Sequence, residues 1–131
     1  MKLQALVGGT AEIIGAEASL RDAVAHMADQ EVDCLAVADG RELVGIFTER
    51  DLLEANADGV DLDTTPVARY MAEAPDVMAP DVSVTEAATW LMQTGYRHLP
   101  VMDQGELLGI VAVRDLLWAL LPELDGVSED R

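Results

Sequence analysis

Apolar residues along the chain fall into two rhythms, short unbroken runs and longer stretches of helical spacing, and both halves present them in the same order. Leu20, Ala23, Val24 and Met27 recur on one helical stripe through about Gln30, and Ser19 with Asp22 forms the S-x-x-D pattern of a capping box just ahead of it. Cys34-Leu35-Ala36-Val37-Ala38 predicts a short buried strand, Asp39-Gly40 a hairpin turn, and Leu43-Val44-Gly45-Ile46-Phe47 the returning strand. A helix from Glu49 to about Asn56 follows, and ahead of all these Glu12-Ile13-Ile14 reads as a brief extended piece ending at Gly15. Residues 57–63 lose all periodicity and read as an Asp- and Gly-rich linker. Thr65-Pro66 then starts a short helix through Met71, with proline at its first helical position.

The second half repeats the order without a gap at an offset of 64, since 109 minus 45 and 115 minus 51 give the same number. Asp76-Val77-Met78 is extended, and Ser83 and Glu86 cap a helix that carries Val84, Ala87, Ala88 and Leu91. His98-Leu99-Pro100-Val101-Met102 is a strand, Asp103 to Glu106 a turn, Leu107 to Val111 a strand, and Val113 to Leu121 a helix stopped by Pro122. The chain is therefore an internal duplication, with a first repeat and linker over residues 1–63 and a second over 64–131 that ends in an acidic, polar tail. Each half reads strand, helix, strand, strand, helix. The fold class is α/β (α+β).

Composition narrows the choice of partner. Hydrophobic residues make up 50% of the 131 but aromatics only 4%, so a core is available and any slot for a flat ligand must be aliphatic. The formal charge of −17, with Lys2 the single lysine, leaves no basic face for nucleic acid or an anionic membrane. No apolar run approaches the roughly 20 residues of a spanning helix, and the first residues show no secretory signal. Such a surface suits concentrated salt, where the Debye length shrinks to about 3 Å at 1 M, so a halophilic habitat is an expectation. One cysteine, Cys34, excludes an intrachain disulfide and agrees with the cytoplasm. Two histidines and one cysteine give no metal-ligand spacing, and no paired catalytic carboxylates or activated nucleophile is visible, so an enzyme is not expected.

The candidate chemistry lies in Gly45-Ile46-Phe47-Thr48-Glu49-Arg50-Asp51, where a strand stops at a hydroxyl residue and opens a helix carrying an acid. The first turn of a helix offers amide N–H groups and the positive end of the dipole, which suits a small anion. Thr48 and Asp51 fit a capping box equally well. The second copy, Gly109-Ile110-Val111-Ala112-Val113-Arg114-Asp115, keeps Gly, Arg and Asp but has no hydroxyl at Ala112. Three of seven arginines stand at these motifs: Arg50, Arg114 and Arg97, which with His98 opens the second middle strand. They could serve phosphate or pair with surface acids such as Glu49 and Glu54. Gly8-Gly9 is a weak phosphate-loop signal, and Cys34 reads as a small core residue.

The doubled unit, its helix-start aspartates, the Arg-His-Leu-Pro-Val strand at 97–101 and the Ala-Arg-Tyr-Met lead-in at 68–71 resemble the cystathionine β-synthase (CBS) domain, and the pair resembles a Bateman module. The resemblance covers roughly residues 7–121. It implies two β-α-β-β-α repeats packed about a pseudo-twofold axis, with related clefts for adenosine-type ligands. By position it implies that Thr48 meets phosphate, that Asp51 and Asp115 accept from ribose hydroxyls, and that adenine is held around Ile13, Ile14, Leu35, Ala36, Val77, Leu99 and Pro100. With Ala112 in place of a hydroxyl residue, the first cleft is expected to be the better site.

The expected function is a stand-alone regulatory module that binds AMP, ADP or ATP in the cleft between repeats, with S-adenosylmethionine as a lesser alternative. It would report to a regulated partner protein that the sequence does not name. A ligand-free dimerisation scaffold is the rival reading. A homodimer through the helices of both repeats is implied by resemblance, with Leu52, Leu53, Leu116, Leu117 and Trp118 as interface material.

Overall fold

The structure, a computed structural model, describes residues 1–7, 11–73 and 75–121. The Gly8-Gly9 turn, the stop at Pro122 and the acidic tail lie outside the described residues. Two compact units are present: residues 11–75 form one, and the described residues of 1–10 and 76–131 form the other.

The first-repeat unit contains β1 (Ile13–Gly15), α1 (Leu20–Gln30), β2 (Cys34–Asp39), β3 (Glu42–Thr48), α2 (Glu49–Asp58) and β4 (Ala72–Glu73). Its sheet has the order β1-β2-β3-β4, with β1 parallel to β2 and the other pairs antiparallel. The period-2 alternation of a strand sends Leu35, Val37 and Phe47 to the helical face, where they pack with Leu20, Ala23 and Met27 of α1 and Ala55 of α2. Cys34, Ala36 and Ile46, on the opposite parity, are buried too.

Local chemistry sets the ends of these elements. The Ser19 hydroxyl accepts the Asp22 N–H at 3.0 Å and the Asp22 carboxylate accepts the Ser19 N–H at 3.4 Å, closing the expected capping box on α1. Helix α2 runs two residues past Asn56 and ends on Gly59, whose φ of +74° a side chain would resist. Gly45 serves close approach: a Cβ there would lie 2.5 Å from Met71 Sδ and 2.9 Å from the Ala72 carbonyl oxygen.

The second-repeat unit contains α3 (Val84–Thr94), β5 (His98–Asp103), β6 (Glu106–Ala112) and α4 (Val113–Leu120). Strands β5 and β6 form an antiparallel hairpin. Of the extended piece expected at 76–78, only Met78 pairs, through a parallel bridge to Val101. Val84, Ala87, Leu91, Leu99, Val101, Val111 and Leu116 form this core, and all but Leu116 are the 64-residue counterparts of buried residues in the first core.

The leading segments are exchanged between repeats. Val67 is fully buried in the first-repeat core and Leu3 in the second-repeat core, each within a short 3-10 helix, Val67–Arg69 and Leu3–Ala5. Val67 N–H donates to the Ala18 carbonyl at 2.8 Å and Ala68 N–H to that of Ala16 at 3.0 Å. Leu3 N–H donates to Val82 and Gln4 N–H to Pro80, both at 2.9 Å, the same bonds at the same offset. Each repeat is thus completed by the segment that precedes the other repeat in sequence. These bonds join 64–73 to the first-repeat unit and 1–7 to the second. Pro66 is the residue before the 3-10 helix rather than its first member, and its extended ψ of 151° is the reason.

Candidate functional site

At the start of α2, Thr48 has the extended backbone of an N-cap, φ −122° and ψ 170°. Its hydroxyl accepts the Asp51 N–H at 3.4 Å and donates to Asp51 Oδ2 at 3.2 Å. Asp51 Oδ2 also accepts the Thr48 N–H at 2.9 Å. The first helical amide, Glu49 N–H, donates to the Asp33 carbonyl at 3.2 Å. The carboxylate is therefore fixed through one oxygen, and Oδ1 accepts no hydrogen bond among the described residues. Burial pushes the Asp51 carboxyl above its ordinary value; the two bonds from Thr48 and the charge of Arg50 oppose this, while Glu54 adds to it.

The start of α4 repeats this frame with one part missing. Val113 N–H donates to the Arg97 carbonyl at 3.0 Å, and Asp115 Oδ2 accepts the Ala112 N–H at 2.8 Å. Ala112 has N-cap backbone geometry, φ −102° and ψ 158°, but no side-chain acceptor. The Asp115 N–H consequently lacks the capping bond that Thr48 gives Asp51. Retention of Asp115 beside Ala112 has a structural cause, since the acid still closes half of the capping box.

Position 34/98 flanks each start. Cys34 lies opposite Thr48 in the β2/β3 register, and His98 lies opposite Ala112 in β5/β6. Burial pushes the Cys34 thiol up to about 12, helped by the charges of Asp33 and Asp51, so it is a protonated, unreactive group. His98 is half-buried, and Arg50, Arg97 and Arg114 are exposed. Arg50 makes no ion pair among the described residues.

The residues expected around an adenine divide by strand parity. Ile14, Leu35 and Leu99 point into the cores of their units and offer a ligand only backbone. Ala36 and Pro100 are buried on the opposite parity, while Ile13 and Val77 are exposed, 50% and 44%. Glu54, whose charge acts on Asp51, and Cys34 were not singled out for the site from sequence. The hairpin register and the spacing of one helical turn from Asp51 to Glu54 are the signals that point to them. No group of His, Cys, Asp and Glu able to hold a metal is present among the described residues.

Residues 11–58 and 67–122 match the family model described as the CBS domain. The chain belongs to this family. The first matched segment holds β1 through α2, and the second holds β4 and then α3 through α4. An uncharacterised 17.7 kDa protein of Acidianus ambivalens is 36% identical over 111 residues, 83% of this chain and 66% of that one. The CBS domain-containing protein CBSCBSPB5 of Arabidopsis thaliana is 30% identical over 113 residues, 85% of this chain and 21% of its own length. This chain therefore spans just under two-thirds of the first relative and about a fifth of the second. Among solved structures, the CBS domain protein PAE2072 of Pyrobaculum aerophilum, complexed with AMP, superposes with a TM-score of 0.84. It is 27% identical, and the match covers 95% of this chain and 98% of that one. No helix among the described residues is long and apolar enough to cross a membrane.

Proposed function

We propose that this chain is a regulatory ligand-sensing module whose two CBS repeats take an adenosyl compound at the starts of α2 and α4. The observation that carries the reading is the pair of equivalent carboxylates, Asp51 and Asp115, each tied through Oδ2 to its N-cap amide with Oδ1 left to accept. Two ribose hydroxyls are donors that such an ionised, acceptor-only group recognises. AMP in the Pyrobaculum relative supports the ligand class. Thr48 could serve phosphate only by turning its proton away from Asp51, because that proton already lies in a hydrogen bond.

Signalling requires that ligand favour one arrangement of the protein over another, since equal affinity for both shifts nothing. The test is a thermal shift in molar salt with AMP, ATP and S-adenosylmethionine, on wild type and on Asp51→Ala and Asp115→Ala. Ligand at 100 times its dissociation constant stabilises by about 2.7 kcal/mol. No shift with any adenosyl ligand overturns the reading and leaves a scaffold. An equal shift in both variants overturns the residue assignment.

A further inference from the structure

The two helix starts share a backbone and differ in charge. At positions 33, 49, 50, 51 and 54 the α2 start carries four acids, Asp33, Glu49, Asp51 and Glu54, against Arg50, a local sum of −3. At the equivalent positions 97, 113, 114, 115 and 118 the α4 start carries Arg97 and Arg114 against Asp115, a local sum of +1, with His98 beside them. The equivalence is structural, because Asp33 and Arg97 give the same carbonyl bond to the first amide of their helices. The negative field at the α2 start is felt by its own groups: Asp33 and Asp51 act on the Cys34 thiol, and Glu54 acts on Asp51.

Backbone donors differ in the same direction. Thr48 consumes the Asp51 N–H, whereas Ala112 leaves the Asp115 N–H without a capping acceptor at the positive end of α4. The missing hydroxyl, which from sequence counts as a lost phosphate contact, thus opens an amide donor.

We infer that the repeats divide their ligands by charge: the α4 start takes a phosphate-bearing adenosyl ligand, and the α2 start takes an adenosyl ligand without net negative charge. This rests on the adenosyl reading above and reverses the expected ranking of the two sites. The cations and open amide at α4 favour a phosphate through charge-assisted hydrogen bonds. The four acids at α2 repel it, most strongly where the carboxylate is half-buried and salt screens least.

Calorimetric titration with AMP and with 5′-methylthioadenosine, at one salt concentration, tests the division on wild type, Asp51→Ala and Arg97→Ala. Arg97 is exposed, and its structural contribution is its backbone carbonyl, which the substitution keeps. The expected result is that AMP affinity survives Asp51→Ala and falls about tenfold in Arg97→Ala, the loss of one charge-assisted contact. Methylthioadenosine shows the converse, weakened by Asp51→Ala and indifferent to Arg97→Ala. AMP weakened by Asp51→Ala, or indifferent to Arg97→Ala, overturns the division while leaving the adenosyl reading intact. Absence of binding by both compounds overturns that reading and the division with it.

Discussion

Asp115 accepts the Ala112 N–H at 2.8 Å in the same geometry in which Asp51 accepts that of Thr48 at 2.9 Å, although the hydroxyl half of the capping box exists only at Thr48. The backbone at 112 is already that of an N-cap, so a hydroxyl could be added there without moving the chain. Ala112→Thr is expected to stabilise the protein by about 1 kcal/mol and Thr48→Ala to cost about the same, read from urea midpoints. An unchanged midpoint in Ala112→Thr would mean that the Asp115 N–H is satisfied by another route.

Asp51 makes stability depend on pH in a defined sense. Its carboxyl is held above the ordinary 3.8, chiefly by burial. The folded chain therefore keeps a proton there that the unfolded chain has lost, and folding stability falls as pH climbs from 3.8 through the raised value. The cost is absent below that window and complete above it. Asp51→Asn keeps an acceptor for the Thr48 N–H and removes the titration. Its stability relative to wild type should rise with pH across the window and level off beyond it; parallel curves would contradict the assigned direction.

Gly45 is fixed by what faces it. Because one of the three close atoms is the Ala72 backbone oxygen, repacking Met71 alone does not make room for a methyl group. Gly45→Ala should cost about 1–3 kcal/mol as an overpacked site, and Met71→Ala in the same chain should not restore wild-type stability. Recovery in that double variant would show the conflict to be with the Met71 side chain only.

Leu3 is fully buried only six residues before Gly9 in sequence, and its partners are Val84, Leu91 and their neighbours. Leu3→Ala should cost about 2–5 kcal/mol. Amide exchange should accelerate in α3, β5 and β6 and stay unchanged in α1 and β2, since the side chain belongs to the second-repeat core. Uniform acceleration would mean that the two units unfold as one.

Much of this fold is legible in the sequence because its signals are local. The Ser19 and Thr48 boxes, the apolar runs at Cys34 and His98 and the hairpins between them are set by residues a few positions apart. Strand β4 is two residues long and can show no alternation, so nothing in Ala72-Glu73 announces it. The role of residues 1–7 is hidden for a different reason. Leu3 matches Val67 in class but not identity, and a buried apolar residue near a terminus does not say which unit buries it. At the site, the positions of the aspartates follow from the motif. The availability of Ile14, Leu35 and Leu99 does not, because parity relative to the core is settled only by the pairing register. The motif likewise does not separate an acid kept for a ligand from one kept for a cap, and Asp115 performs the second task in the structure.

The exchange of leading segments also gives the two units different histories during synthesis. Residues 11–75 are contiguous, so that unit can close while the later part of the chain is still being made. Its partner cannot: residues 1–7 are made well before Pro80, Val82 and the strands beyond them, and must wait for these before Leu3 has anywhere to go. The long intervening loop adds little to the final free energy, since each doubling of loop length costs only about 0.6 kcal/mol. What it imposes is an order of events, with an exposed apolar segment on the nascent chain until the last helix arrives.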